Sequence, residues 1–270
     1  MVRGLTAAAT SLVLLACGSG APAAEAPDDG LFLPESSGPV PVVVLVPGGG
    51  WTSADPTGLV PLARALAEGG VVAATTTYRT ASDGAVFPTP VEDVLCAATE
   101  VVARAADHGR VGGPLVLVGH SAGAQLAVVA ALRGDDLGGR CSVETDAVVG
   151  LAGAYDVTAL PDLAIALFGV PQEDDPALWA TGDPLRAASE RPELPVLLVH
   201  GDADGVVPPS MTQALARALR HGGHVVDVVA LPSEDHMSVF TPQVVAPTLL
   251  TWLAALPARA AQPTATSSSG

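Results

Sequence analysis

Short apolar segments alternate with longer helical segments along most of this 270-residue chain. The apolar segments are rich in β-branched residues and nearly free of charge, which is typical of strands buried on both faces of a sheet. They are residues 40–46, 71–77, 115–118, 147–151, 196–199 and 225–230, with a short candidate strand at 31–33. The helical segments are residues 59–68, 91–107, 122–132, 210–220 and 242–256. This alternation predicts an α/β fold with a mainly parallel central sheet and helices on both faces.

The alternation is interrupted once, between residues 156 and 194, where five prolines separate scattered apolar residues. Because segments of this kind often build the walls and lids of binding sites, we expect an insertion or small lid over the sheet edge. The pattern before and after it continues as one series. We therefore expect a single domain over residues 30–258.

The two ends of the chain differ from this domain. Arg3 and the apolar stretch after it are typical of a signal peptide over residues 1–16, which is too short to span a bilayer. The segment ends in Leu-Leu-Ala before Cys17, which resembles a bacterial lipoprotein box in which Cys17 becomes the lipidated first residue. Residues 17–29 then form a flexible tether, and residues 259–270 a disordered, low-complexity tail.

This N-terminus predicts an exported lipoprotein held on the outer face of the membrane by lipid at Cys17. Ordinary secretion, with cleavage near residues 21–23, is the alternative, and an uncleaved cytosolic tail is the least favoured interpretation. The lipid anchor is the one membrane attachment that we expect. Nothing in the sequence indicates an oligomeric state.

Composition narrows the range of partners. Apolar residues make up 49% of the chain and charged residues 15%, so a large core is expected rather than disorder. The 12 basic residues are all arginines, against 28 carboxylates, and the net charge is −16. This excess of negative charge argues against nucleic acid, whose binding depends on phosphate neutralisation. Aromatic residues are only 3% of the chain, which offers no obvious platform for a large aromatic acid.

A candidate nucleophile, Ser121, lies in the pentapeptide Gly119-His120-Ser121-Ala122-Gly123. The pentapeptide follows a predicted strand and opens a predicted helix. In that setting a Gly-x-Ser-x-Gly sequence forms a sharp turn that raises the serine hydroxyl above the sheet. The backbone N–H of Ala122 then lies at a helix N-terminus, where a developing oxyanion is stabilised.

A serine nucleophile needs a base, and the base needs an acid that orients it. Asp204 and His236 follow Ser121 in that order, each in a loop after a predicted strand. Both loops lie at the carboxyl edge of the sheet, where open α/β sheets form their sites. Asp202 and Asp235 are the alternative acids. We interpret the remaining histidines as structural or solvated.

A glycine run after the first central strand completes the candidate site. Gly48-Gly49-Gly50-Trp51 follows the strand at 40–46, and glycine amides can approach a substrate closely. We interpret this run as an oxyanion loop, with Gly49, Gly50 and Ala122 as the amide donors. A merely flexible loop is the alternative.

Taken together, these motifs resemble the α/β-hydrolase superfamily over roughly residues 30–258. The likeness is strongest to a small esterase branch that includes hormone-sensitive-lipase-like and feruloyl-esterase-like (BD-FAE-type) members. Further matching pieces are Tyr78-Arg79, Phe87-Pro88-Thr89-Pro90 leading to Asp93, Ala154-Tyr155-Asp156, and an acid three residues before Val207-Pro208. The family's loop carries a His where this chain has Pro47. The resemblance implies an α/β-hydrolase fold, a Ser121–His236–Asp204 triad, and substrate contacts from Trp51 and Tyr155.

Export also bears on the cysteines. With Cys17 lipidated, Cys96 and Cys141 remain, and they are expected to form either a disulfide or two buried thiols. No metal or cofactor is expected, because the spacing of His and Cys residues matches no metal site, and nucleotide-binding motifs are missing from the sequence.

We therefore expect an exported serine hydrolase that cleaves small-molecule carboxylic esters, with a preference for short acyl groups. One alternative is an amidase, arylformamidase-like or exopeptidase-like, that uses the same nucleophile on an amide. A third hypothesis is a catalytically inactive binding protein on the same scaffold. It is less favoured because the three triad residues follow one another in the expected order.

Overall fold

The computed structural model describes residues 30–257, except Val111, Gly138 and the side chain of Asp135. The predicted signal peptide, the lipidation site at Cys17, the tether and the tail from residue 259 lie outside the described residues. Among the residues that are described, no helix has both the length and the apolar character needed to cross a bilayer.

Seven strands form one sheet in the order β1-β3-β2-β4-β5-β6-β7. Every neighbouring pair is parallel except β1 and β3. The strands are β1 (Leu31–Phe32), β2 (Val42–Val46), β3 (Val72–Thr75), β4 (Leu115–His120), β5 (Ala147–Leu151), β6 (Val196–Gly201) and β7 (Val226–Leu231). The predicted mainly parallel sheet is therefore present, and the ends of its strands lie within two residues of the predicted ones.

The described part of the chain contains seven α-helices, of which six lie between strands and α7 follows the last strand. They are α1 (Val60–Glu68), α2 (Thr89–Asp107), α3 (Ala122–Arg133), α4 (Pro161–Phe168), α5 (Pro176–Thr181), α6 (Pro209–His221) and α7 (Pro242–Ala255). Single 3₁₀ turns lie at Thr57–Leu59, Ala81–Asp83, Gly134–Leu137, Val157–Ala159 and Ser238–Phe240. Five of the α-helices match the predicted helical segments, and α4 and α5 lie in the segment where the pattern was interrupted.

The sheet separates two apolar cores. Successive strand residues point to opposite faces, so Val42, Val44 and Val46 contribute to one core and Val43 and Leu45 to the other. The first core lies under α2, α3 and α6, and the second under α1 and α7. Burial of β2 on both faces explains why its sequence is uniformly apolar rather than alternating.

Residues 156–194 lie between β5 and β6, and part of this segment packs into the first core. Phe168 and Trp179 are nearly fully buried, with their rings stacked at 4.4 Å between centroids. Arg133 of α3 donates hydrogen bonds to the carbonyl oxygens of Ala180 and Thr181. The predicted insertion is therefore present, and Phe168 and Trp179 join it to the first core.

A disulfide joins Cys96 of α2 to Cys141, which precedes β5. Their Cα atoms are 4.9 Å apart, within the range that such a bond requires. Of the two alternatives left open by the sequence, the structure has the bonded one. The closed loop contains β4, the turn at Ser121 and α3.

Candidate active site

Ser121 occupies a strained turn between β4 and α3. Its backbone has φ 53° and ψ −121°, which is unusual for a residue other than glycine. The turn closes tightly on both sides: a Cβ atom at Gly119 would meet the carbonyl oxygen of Gly123, and one at Gly123 would meet that of Pro47. The two glycines of the pentapeptide are thus required by backbone contact, and the turn lifts the Ser121 hydroxyl to the carboxyl edge of the sheet.

Three side chains from separate loops form a continuous hydrogen-bonded chain. Ser121 Oγ lies 2.9 Å from Nε2 of His236, and Nδ1 of His236 lies 2.7 Å from Oδ2 of Asp204. With a neutral imidazole, His236 donates from Nδ1 to the carboxylate and accepts the Ser121 hydroxyl at Nε2. All three residues are buried. This is the geometry in which a histidine can take the proton of a serine hydroxyl.

Asp204 is held on both carboxylate oxygens. Its Oδ1 accepts the backbone N–H groups of Val206 and Val207, each at 2.8 Å, while Oδ2 faces His236. Burial alone would raise the pKa of this carboxyl. The hydrogen bonds from His236, Val207 and Val206 outweigh it, so the pKa is lowered and the group is ionised at neutral pH.

The loop that carries His236 is fixed from two directions. Asp235 accepts the backbone N–H groups of Met237 and Ser238 at Oδ1. From the other side, Nε2 of His120 donates to the carbonyl oxygen of His236 at 2.8 Å. Burial lowers the pKa of His120 to about 4, so the ring is neutral and its single proton lies on Nε2. His120, which we had interpreted as structural, therefore positions the backbone of the candidate base.

The glycine run packs directly against the nucleophile. A Cβ atom at Gly48 would lie 2.9 Å from Cβ of Ser121, and one at Gly49 would meet the carbonyl oxygen of Ser53. Gly49 has φ +129° and Gly50 has φ +58°, conformations that glycine tolerates. Gly49, Gly50 and Ala122 all line the cleft above Ser121. Ala122 is the first residue of α3, so its N–H has no acceptor within the helix.

Tyr78 braces this loop from behind. Its buried hydroxyl donates to the carbonyl oxygen of Pro47 at 3.1 Å. Arg79, the next residue, forms a bidentate ion pair with Asp93 in the first turns of α2. Pro47 lacks the side-chain donor of the family's usual His, and in this chain the loop is supported through its carbonyl instead.

The cleft above Ser121 has a volume of about 500 Å³ and mostly apolar walls. One wall carries Leu160 and Leu163 from the start of α4, and another carries Val206, Met237 and Phe240 beside the acid and base loops. Among the described residues that line the cleft, Asp55 is the only one that carries a carboxylate, and none is an arginine. The cleft therefore suits an uncharged, largely apolar ligand.

Of the two predicted substrate contacts, Trp51 lines the cleft and Tyr155 does not. Tyr155 is fully buried below the sheet edge, with its ring against Gly150 and Gly153, so the structure corrects its assignment to the cleft. Trp51 lines the cleft but is only 1% exposed, and its indole N–H donates to Gln125 Oε1 at 3.0 Å. Trp51 thus anchors the glycine loop to α3 more than it offers a surface to a ligand.

One buried residue near the candidate triad was not foreseen. His200, at the end of β6, places Nε2 3.2 Å from Oδ2 of Asp204. The sequence did carry a signal, since His200 and Asp204 are four residues apart across a strand end. Asp202, the alternative acid, instead accepts the backbone N–H of Ser233. Among the described residues, no group of three His, Cys, Asp or Glu side chains is arranged to hold a metal ion.

Comparison with known proteins agrees with this architecture. The BD-FAE family profile matches residues 30–219. Esterase LipQ of Mycobacterium tuberculosis is 31% identical over 212 residues, which are 73% of this chain and 50% of LipQ. Isoprenylcysteine alpha-carbonyl methylesterase ICME of Arabidopsis thaliana is 27% identical over 236 residues, 78% of this chain and 53% of the relative. The chain spans about half the length of the curated relatives that it matches.

Solved structures share the fold at lower identity. A truncated carbohydrate esterase from gut microbiota superposes with a TM-score of 0.70 at 19% identity, over 83% of this chain and 88% of that one. Propionate-bound Est2 of Thermogutta terrifontis gives 0.65 at 21% identity, over 83% and 85% of the two chains. These similarities confirm the predicted α/β-hydrolase fold.

Proposed function

This chain belongs to the BD-FAE family, and from that membership we propose that it is a serine carboxylesterase acting on small, uncharged esters. The observation that carries the proposal is the unbroken chain from Ser121 Oγ through His236 to Asp204, with hydrogen bonds of 2.9 and 2.7 Å. The printed names of LipQ and ICME, an esterase and a methylesterase, support the same reaction class.

The proposed reaction begins with attack of Ser121 Oγ on the ester carbonyl carbon. His236 Nε2 takes the serine proton, and Asp204 stabilises the resulting imidazolium. The carbonyl oxygen becomes an oxyanion that accepts hydrogen bonds from the backbone amides of Gly49, Gly50 and Ala122. His236 then gives its proton to the leaving alcohol, which departs and leaves an acyl group on Ser121. Water, activated by the same histidine, releases the carboxylic acid and restores the hydroxyl.

The positions of the walls suggest where the two parts of the ester bind. The leaving oxygen must receive a proton from His236, so the alcohol part lies on the side of Val206 and Met237. These two side chains are 68% and 59% exposed, so this side opens to solvent. The acyl part then lies towards Leu160 and Leu163. We propose a preference for short acyl groups, because α4 limits the cleft on that side.

A panel of p-nitrophenyl esters tests the proposal. The wild-type protein is expected to hydrolyse acetate and butyrate esters, and Ser121→Ala to lose this activity without a change in Tm, since its hydroxyl contributes no core packing. Butyryl p-nitroanilide in the same assay distinguishes an amidase. Faster cleavage of the anilide than of the ester would replace the esterase proposal, and cleavage of neither would indicate an inactive scaffold.

We also propose export and lipidation at Cys17, on the basis of the N-terminal sequence alone. Expression of the full chain in a bacterial host with labelled fatty acid tests this directly. The wild-type protein should carry label and sediment with membranes, and Cys17→Ser should do neither. Label-free wild-type protein in the medium would support the secretion alternative instead.

A further inference from the structure

His200 is a buried histidine that the proposed reaction does not use. It ends β6 next to the acid loop and is 3% exposed. Its Nδ1 lies 2.6 Å from Oγ1 of Thr212 in α6, and its Nε2 lies 3.0 Å from the carbonyl oxygen of Val207. Nε2 is also 3.2 Å from Oδ2 of Asp204. Both ring nitrogens therefore have partners: Nδ1 contacts α6, and Nε2 contacts the loop that supplies the candidate acid.

The partners determine which nitrogen carries the proton. Burial lowers the pKa of His200 against the opposing effects of Val207 and Asp204, so the ring is neutral and has one N–H. Nε2 faces two acceptors, a carbonyl oxygen and a carboxylate oxygen, whereas Thr212 offers a hydroxyl that can donate. The proton therefore lies on Nε2, and the Thr212 hydroxyl donates to Nδ1. Thr212 selects the tautomer that presents a donor to the acid loop.

This donor reaches Asp204 by two routes. Directly, Nε2 lies 3.2 Å from Oδ2, the same oxygen that accepts from His236, so the positive end of the His200 N–H dipole is close to the carboxylate. Indirectly, it holds the carbonyl of Val207, whose own N–H donates to Oδ1 of Asp204 at 2.8 Å. The carboxylate is 0% exposed, so no water competes for these positions. Its orientation then depends on the protein groups around it.

We propose that His200, oriented by Thr212, is a positioning residue that holds the carboxylate of Asp204 in line with His236. His200 does not touch the substrate and acts through Asp204. This role rests on the proposed esterase function, since it concerns the acid of that triad. It extends that function by assigning a second histidine and a helix hydroxyl to the support of the acid.

Four variants of the full chain test the proposal, with p-nitrophenyl butyrate turnover and the rate of inactivation by a fluorophosphonate as readouts. His200→Leu removes the donor to Val207 and the contact with Asp204, and kcat and the inactivation rate should both fall about 10-fold, the upper end of the effect of a neutral hydrogen bond. KM should stay unchanged, because substrate contacts are intact. His200→Gln restores an N–H donor and should recover most of the loss.

Thr212→Val keeps the shape of the side chain but removes the hydroxyl that orients the ring. It should lower kcat by about 2- to 10-fold, the effect of a neutral hydrogen bond. The matched control is His224→Leu. His224 is similarly buried, and its two ring nitrogens lie near the carbonyl oxygens of Leu194 and Glu190, away from the cleft. This control should lower Tm and leave kcat unchanged.

Folded His200→Leu and Thr212→Val proteins with wild-type kcat and inactivation rate would overturn the proposal. A fall in kcat for His224→Leu equal to that of His200→Leu would overturn it too, by showing a general effect of lost stability. If His200→Leu does not fold, Thr212→Val decides, and wild-type kcat and inactivation rate in that folded variant would overturn the proposal. A wild-type protein that reacts with the fluorophosphonate but hydrolyses no ester would contradict the esterase function alone, and the inactivation rates would still test His200.

Discussion

Asp204 and Asp202 lie in one short loop, yet their side chains have different partners. Asp204 accepts His236 Nδ1–H at 2.7 Å, whereas Asp202 accepts a backbone N–H of Ser233 at 2.7 Å. Both bonds join the acid loop to the loop that carries His236. Only the first can hold the imidazole in the tautomer that accepts a proton from Ser121.

Replacement of each aspartate by asparagine should therefore have unequal effects on turnover. Asp204→Asn should lower kcat for p-nitrophenyl butyrate by about 10⁴-fold, because an amide favours the wrong histidine tautomer. Asp202→Asn leaves the triad intact and should change kcat little. Steady-state kinetics of the two purified variants checks this. Equal losses in both, or a larger loss in Asp202→Asn, would contradict the assignment and make Asp235 the next acid to test.

His120 makes stability depend on pH. Burial lowers its pKa from 6.5 to about 4 in the folded protein. Between these values the unfolded chain binds a proton that the folded protein does not, so stability is lost as pH falls. The free energy of unfolding should drop by about 3 kcal/mol from this group between pH 7 and pH 4.

Urea denaturation at a series of pH values measures this contribution. In His120→Gln the amide can still donate to the carbonyl of His236, but it has no titratable group. The variant should therefore lose less stability on acidification than the wild-type protein does. His221→Gln, at an exposed position, serves as the control and should follow the wild-type curve. Parallel curves for wild-type and His120→Gln would contradict a buried, neutral His120.

At the residue scale, the sequence predicts positions well where backbone geometry dictates the residue. Gly119 and Gly123 are required by contacts with neighbouring carbonyls, so the pentapeptide reveals a turn. The proximity of Ser121, Asp204 and His236 was also predictable, because each follows a parallel strand at the same sheet edge. Their catalytic role stays a prediction. Tyr155 was misplaced because the direction of a side chain after a strand depends on local backbone that sequence spacing does not specify.

Helix α4 forms the wall that limits the cleft on the proposed acyl side. Leu163 reaches within 3.3 Å of where a Cβ atom on Gly50 would lie, and it lines the cleft. Ile165, on the same helix and similarly exposed, does not line it. A substitution at Leu163 therefore alters the wall of the cleft, whereas the same substitution at Ile165 alters only the other side of the helix.

Acyl chain length should therefore respond to Leu163. In the wild-type protein kcat/KM should fall steeply beyond about eight acyl carbons, because the cleft is small. Leu163→Ala should raise the ratio of kcat/KM for laurate to that for butyrate by about tenfold, the effect of a few methylenes of extra space. Ile165→Ala should leave the ratio unchanged. Equal rates of the wild-type protein on acetate and palmitate esters would refute a short-acyl preference.

The disulfide between α2 and the segment before β5 constrains the part of the chain that contains Ser121. Its cysteines are 45 residues apart, for which chain entropy gives about 4 kcal/mol of stabilisation. The double variant Cys96→Ser/Cys141→Ser should thus lower Tm by about 10 °C. Wild-type protein treated with a reductant should show the same Tm as the variant. A Tm that changes in neither case would show that the bond does not form in solution.

At the element scale, strands and helices were predictable where the hydrophobic period was regular. Residues 156–194 were not, because their order comes from tertiary contacts. Gln125 of α3 accepts from Trp51 and donates to the carbonyl of Gly182, so it ties this segment to the glycine loop. Contacts between residues so distant in sequence leave no periodic signal, which is why the sequence predicted an insertion here but not the helices α4 and α5.

At the scale of the whole molecule, the site lies at the carboxyl edge of the sheet, between the loops that follow the central strands and the loops that follow β6 and β7. The glycine loop and the turn at Ser121 follow β2 and β4 at the centre of the sheet, while the acid and base loops follow β6 and β7. The net charge of −16 and a cleft without arginine among its described lining residues disfavour anionic substrates. Fold and charge thus agree with an esterase for neutral molecules.

The central claim is that Ser121 is an activated nucleophile, and covalent labelling tests it most directly. The wild-type protein is incubated with a fluorophosphonate, and the modified residue is located by mass spectrometry of peptides. Ser53 lines the same cleft, so Ser53→Ala is the matched control. One label per chain, on Ser121, in both wild-type and Ser53→Ala proteins, and none in Ser121→Ala or His236→Ala, is the predicted result. Absence of label in folded wild-type protein, or label that persists in Ser121→Ala, would contradict the account.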